Sequence, residues 1–156
     1  MQIRFYTILF IKFILQKTKN CLLKYFLDMT ILELYDLAER DHIDVIDCPF
    51  IARDGVSAIF ADGSCVIGLK RPQKAVLAHE LGHCETLSFY EETSPFGLRG
   101  RAETRATKWA IRHIIPRDEL EALIARNYEP WEIAEHFEVD EKLVLQAVSL
   151  YRFNHL

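Results

Sequence analysis

The sequence has no Cys-x-x-Cys pair: Cys21, Cys48, Cys65 and Cys84 stand apart from one another. With 156 residues, 50% of them hydrophobic, the chain can build a core without covalent staples, so all four are expected as reduced thiols of a cytoplasmic protein. A basic surplus is also missing. The net charge of −4 at pH 7 gives no reason to expect nucleic acid as the main partner. Nor is there the unbroken run of about 20 apolar residues that a transmembrane helix needs. The apolar stretches at Ile8–Ile11 and Phe13–Leu15 are split by Lys12 and followed by Lys17. No small-x-small cleavage site comes after them, which argues against a secretory signal. Internal repeats and low-complexity tracts are absent as well.

What is present is unevenly distributed. Residues 1–28 hold Arg4, Lys12, Lys17, Lys19 and Lys24 against Asp28 alone, net +4, so the remaining 128 residues carry −8. Met29 then stands directly before a self-contained helix start, the Thr30-x-x-Glu33 capping box followed by Leu34, Leu37 and Ala38. This pattern favours a dispensable basic, apolar extension at 1–28 over a membrane-surface contact or a secretion signal.

Beyond Met29 the periodicities predict a helix over 30–41 and a short strand at Ile43–Ile46 that stops at Pro49. A hairpin follows, with strands at 56–61 and 64–69 around Asp62-Gly63. A helix over 72–88 opens at Pro72, and residues 91–100, with Pro95, Gly97 and Gly100, read as a loop. Further helices are expected at 101–114, 118–126, 131–137 and 141–152. The expected architecture is α+β: mainly helical, with a small antiparallel sheet of about three strands beside the 72–88 helix.

That helix carries His79-Glu80-Leu81-Gly82-His83, an H-E-x-x-H pattern. Histidines four apart lie one above the other on a helix face, so both imidazoles can reach one ion. Neutral imidazole suits Zn²⁺, which lowers the pKa of a bound water towards ~7 and polarises a carbonyl. Glu80, one position on, points sideways from the pair and suits the role of general base. Gly82 costs the helix about 1 kcal/mol relative to alanine, which makes sense if another element passes close by. Glu103 is one candidate third ligand, with Ala106 and Ala110 at helical spacing behind it to permit close packing. Cys65 or Cys48 is the rival, and would give a deformylase-like site.

The stretch from Ala78 to Pro116 resembles the ImmA/IrrE-type metallopeptidases of phages and integrative elements. The shared features are His79 to His83, then Glu103, Ala106, Trp109-Ala110 and Ile114-Ile115-Pro116, with Ser94–Arg99 similar to a linker in the phage-type subgroup. The resemblance runs from Met29 to about Tyr151 and leaves out residues 1–28. It implies a zincin-like, gluzincin-type core, a Zn²⁺ cofactor, Glu103 as third ligand, and a helix-turn-helix transcriptional repressor as the protein substrate. The chain departs from the family at Thr107, where asparagine or aspartate is common, so any orientation of a ligand imidazole there must use a hydroxyl. Tyr90, His113 and Tyr151 are the candidate oxyanion donors by chemistry, and Arg99 and Arg101 the candidate substrate contacts.

On this reading residues 29–127 form the metallopeptidase core and 128–156 a C-terminal helical subdomain. The latter has a helix-turn-helix rhythm, but six carboxylates oppose only Lys142 and Arg152, net −4. Phosphate would be repelled, so no direct nucleic-acid binding is expected. Two alternatives to repressor cleavage remain at the level of sequence. One is a non-catalytic zinc protein that binds a repressor; the other is a deformylase-like hydrolase of small substrates.

Overall fold

Thr30 starts the fold as the capping box dictates. Its hydroxyl oxygen accepts from the Glu33 backbone N–H, and the Glu33 carboxylate accepts from the Thr30 N–H at 2.8 Å. This opens α1 (Ile31–Arg40), which buries Leu34, Leu37 and Ala38. The computed structural model describes residues 29–47, 56–61, 64–69, 73–91 and 93–153. The expectations placed on the 1–28 extension, Cys21, Cys48, Pro49, the Asp62-Gly63 turn and Pro72 lie outside these residues.

Strands β1 (Asp44–Asp47), β2 (Val56–Ala61) and β3 (Ser64–Leu69) form one sheet in the order β1-β3-β2. The β2–β3 hairpin is antiparallel with the expected strand limits, Val56 facing Leu69 and Ala61 facing Ser64. The sheet as a whole is mixed, however, not purely antiparallel, because β1 runs parallel to β3. The chain leaves β1, enters β2 at the far edge and returns through the centre, so the returning strand must share the direction of β1.

Among the described residues the other elements are six helices: α1, then α2 (Lys74–Glu85), α3 (Phe96–Ile114), α4 (Arg117–Ala125), α5 (Pro130–Phe137) and α6 (Glu141–Phe153). Helix α2 is the centre of the molecule, with buried residues on more than one face, among them Leu77, Ala78, Leu81 and His83. Even Lys74 in its first turn is buried, its ammonium donating to the Phe137 carbonyl at the end of α5 at 2.9 Å. Phe137 and Val144 from α5 and α6 share one apolar cluster with Leu34, Ile67, Leu77 and Ile111. No helix among the described residues is long and apolar enough to cross a membrane.

Two further expectations need correction. Residues 96–100 are helical, so the loop ends at Pro95 and α3 begins five residues earlier than the glycines imply. Leu98 and Arg99 both donate to the Pro95 carbonyl, which starts the hydrogen-bond ladder despite Gly97 and Gly100. The cost of two glycines, about 1 kcal/mol each, is met by propagation from the buried Ala102–Ile114 segment. The second correction is that Cys65 and Cys84 are joined in a disulfide and are not free thiols. Cys65 on β3 and Cys84 on α2 are both buried, with Cα atoms 6.0 Å apart, within the span a disulfide bridges.

The glycines of α2 and α3 divide into two kinds. A Cβ on Gly82 would lie 2.5 Å from the Ala106 carbonyl oxygen and 2.9 Å from its Cα, whereas one on Gly97 or Gly100 would meet nothing within 4 Å. Gly82→Ala should therefore force the two helices apart and cost roughly 1–3 kcal/mol or more. Gly97→Ala and Gly100→Ala should each stabilise by about 0.5–1 kcal/mol. Urea unfolding of the three variants checks both signs.

Candidate metal centre

Helical geometry sets the first two groups. His79 and His83 lie one turn apart on α2, with ring centroids 4.9 Å apart and planes at 85°. Glu103 reaches them from α3, whose buried residues on either side of it, Ala102 and Ala106, are small. At the Gly82–Ala106 contact the two backbones touch. The His79 Nε2 is 3.1 Å from Glu103 Oε2, and the His83 Nε2 is 3.3 Å from Glu103 Oε1. One donor atom from each residue falls within 4.8 Å of the other two.

The orientation of His83 follows from the way α2 ends. Thr86 donates its hydroxyl to the Gly82 carbonyl at 2.6 Å, and Leu87 takes a left-handed φ of 48°. That conformation costs a non-glycine residue about 1–2 kcal/mol. It turns the chain so that the Ser88 N–H donates to the His83 carbonyl at 3.0 Å. The Ser88 carbonyl meanwhile lies 2.8 Å from His83 Nδ1. A carbonyl only accepts, so Nδ1 carries a hydrogen, and in the neutral imidazole that binds a metal the Nε2 lone pair then faces the Glu103 carboxylate. Two acceptors facing each other at 3.3 Å are repulsive unless a cation lies between them.

The donor set fits a zinc ion on this ground and on spacing. Ligands about 2.0–2.1 Å from a tetrahedral ion lie about 3.3–3.4 Å from each other, close to the 3.1 and 3.3 Å seen between imidazole and carboxylate atoms. His79 has a partner of its own, since the Thr107 hydroxyl stands 3.4 Å from its Nδ1. Burial holds the His79 imidazole below the ordinary histidine range, with His83 adding to the effect and Glu103 opposing it. Burial alone would raise the Glu103 carboxyl, yet the Tyr90 hydroxyl and the two imidazoles outweigh it and hold the group low.

Tyr90 donates to Glu103 Oε1 at 2.6 Å, and that bond, with burial and the charges of Glu103 and Glu80, pushes its hydroxyl up to about 12. It therefore remains a donor at neutral pH. Glu80, like His79, Glu103 and Thr107, lines a cleft of about 660 Å³ between α2, α3 and α6. Arg99 is near enough to oppose the rise at Tyr90, while Arg101 is exposed on α3. His113 and Tyr151 are engaged away from the cleft. The former stacks on Trp109 and donates to the Trp109 carbonyl, and the latter donates to the Ile115 carbonyl at 2.8 Å. Cys65, bridged to Cys84, has no thiolate to offer an ion. Sequence reasoning missed Ser88, and no side-chain pattern marks it, because its contribution is a backbone carbonyl.

These contacts rank the residues for metal retention, measured by competition with a chelator for Zn²⁺. Glu103→Ala should abolish retention and Thr107→Val should weaken it about tenfold, the lower end for loss of a partner to a ligand imidazole. Ser88→Ala should change little, since the carbonyl remains.

No curated protein and no solved structure matches the chain. The model of the M78 peptidase family described as the IrrE N-terminal-like domain matches residues 38–149. That span takes in the H-E-x-x-H helix, Glu103, Thr107 and the cleft wall supplied by α6. The chain thus belongs to the IrrE N-terminal-like family of zinc metallopeptidases.

Proposed function

We propose that this metallopeptidase is an endopeptidase whose substrate is a helix-turn-helix transcriptional repressor, cleaved in the cytoplasm to release phage or mobile-element genes. The observation that carries the peptidase chemistry is the His79, His83 and Glu103 cluster opening on a cleft that Glu80 also lines. The repressor as substrate rests on the family. In the cytoplasm, burial of Cys65 and Cys84, 7% and 6% exposed, limits access for thiol exchange across their bridge.

In this reading His79, His83 and Glu103 hold the ion, leaving a position open to water and substrate. When bound, zinc supplies Lewis acidity, lowering the pKa of water and polarising the scissile carbonyl. Glu80 sits one residue beyond His79, so its carboxylate cannot share the histidines' face and is free of ligand duty. It takes the proton of the attacking water and passes it to the departing amide nitrogen. Tyr90 donates its hydroxyl to Glu103, and in this reading it serves the oxyanion by exchanging that acceptor for the charge that develops in the transition state. His83 keeps its lone pair inward because Ser88 fixes the other nitrogen.

Glu80→Gln keeps the size of the side chain but removes the proton acceptor. Zinc content and repressor binding should survive, while cleavage of the repressor falls by about two to four orders of magnitude. Loss of metal in this variant would make Glu80 a ligand or anchor. Unchanged cleavage would place the chemistry elsewhere.

A further inference from the structure

The cleft does not end at the metal ligands. From His79, Glu80 and Glu103 it continues between α3 and α6, where Lys108 and Lys142 line it beside Leu143 and Leu150. Neither lysine side chain makes an ion pair or hydrogen bond among the described residues, and both residues are exposed. Lys142 is one of only two cations in residues 128–156, so a segment dominated by carboxylates turns one of its few positive charges into this groove. Asp140, the acidic residue on the same wall, is already engaged: its side chain accepts the Leu143 N–H at 2.7 Å and caps α6. The other carboxylates in the cleft, Glu80 and Glu103, lie at the metal end.

We infer that α6 and the second half of α3 form the specificity wall of the cleft, and that Lys108 and Lys142 select a substrate segment with an acidic side chain about two residues from the scissile bond. The offset comes from helix geometry. Lys108 follows Glu103 by five residues, a rise of about 7.5 Å along α3, and an extended chain covers about 3.3 Å per residue. The apolar floor from Val76, Ile111 and Leu143 takes the neighbouring hydrophobic side chain. The inference rests on the proposed peptidase reading for its scissile bond, and it gives the C-terminal helices a task other than contact with DNA.

The test measures binding, so that it stands apart from turnover. Short peptides bearing a hydroxamate to engage zinc are made in two series, extending from the hydroxamate in either chain direction, with Glu or Gln two residues away. Against the zinc-loaded full chain, the Glu member of one series should bind about three- to tenfold more tightly than its Gln twin, as expected for two exposed charge contacts. The difference should shrink as salt rises. It should vanish in the Lys108→Met/Lys142→Met double variant and reverse in Lys108→Glu/Lys142→Glu. Equal binding of Glu and Gln peptides in both series would overturn the inference, as would a preference that persists in the double variants. Absence of any hydroxamate binding would overturn it too, because the cleft would then not open on the metal. A lysine-dependent preference in a protein that hydrolyses no peptide would support the wall and instead refute the peptidase reading.

Discussion

Everything at the centre of this protein depends on how closely α2 and α3 approach. At Gly82 the backbones of the two helices are in contact, with no room for a methyl group between Gly82 and Ala106. His79 lies three residues before that contact and His83 one after it, while Glu103 lies three residues before Ala106 on the facing helix. The contact therefore fixes the separation of carboxylate and imidazoles, and helical spacing does the rest. A helix pair with ordinary side chains at its crossing would sit 8–10 Å apart, too far for Glu103 to bring its two oxygens to about the hydrogen-bond distance of both Nε2 atoms.

Around that contact, backbone groups and short side chains do the orienting. The turn at Leu87 places the Ser88 carbonyl on His83, and Thr86 closes the end of α2. On the other side Thr107 faces His79 and Tyr90 holds Glu103. The disulfide from Cys84 to Cys65 ties the residue next to His83 to the central strand. In the chain-entropy account, closing a loop of this size restricts the unfolded state by about 3 kcal/mol. The left-handed Leu87, exposed and apolar, is a local cost that the α2 terminus carries to keep His83 in one tautomer.

Much of this was legible in the sequence because it is periodic or motif-borne. The capping box at Thr30, the strands at 56–61 and 64–69, and the H-E-x-x-H helix each follow from local patterns, and Gly82 was readable as a close approach. The start of α3 was not, because Gly97 and Gly100 read as loop when only the buried alanines behind them decide. The parallel pairing of β1 was also hidden, since strand order depends on where the chain crosses and not on strand composition. Ser88 acts through its carbonyl, and Lys108 and Lys142 come together only through the packing of α6 on α3. The expectation of reduced thiols failed at Cys65 and Cys84 for the same reason: nineteen residues apart in the chain, they are neighbours only once α2 lies on the sheet.

The central claim is that packing of α3 on α2 builds a three-ligand, nitrogen- and oxygen-only metal site with a position left open. X-ray absorption at the zinc edge of the loaded protein reads the ligand set directly. The account predicts two imidazole nitrogens and two oxygens at about 2.0–2.1 Å, one oxygen from Glu103 and one from solvent, with no sulfur. A sulfur shell at about 2.3 Å, or a spectrum unchanged by Glu103→Ala, would contradict it.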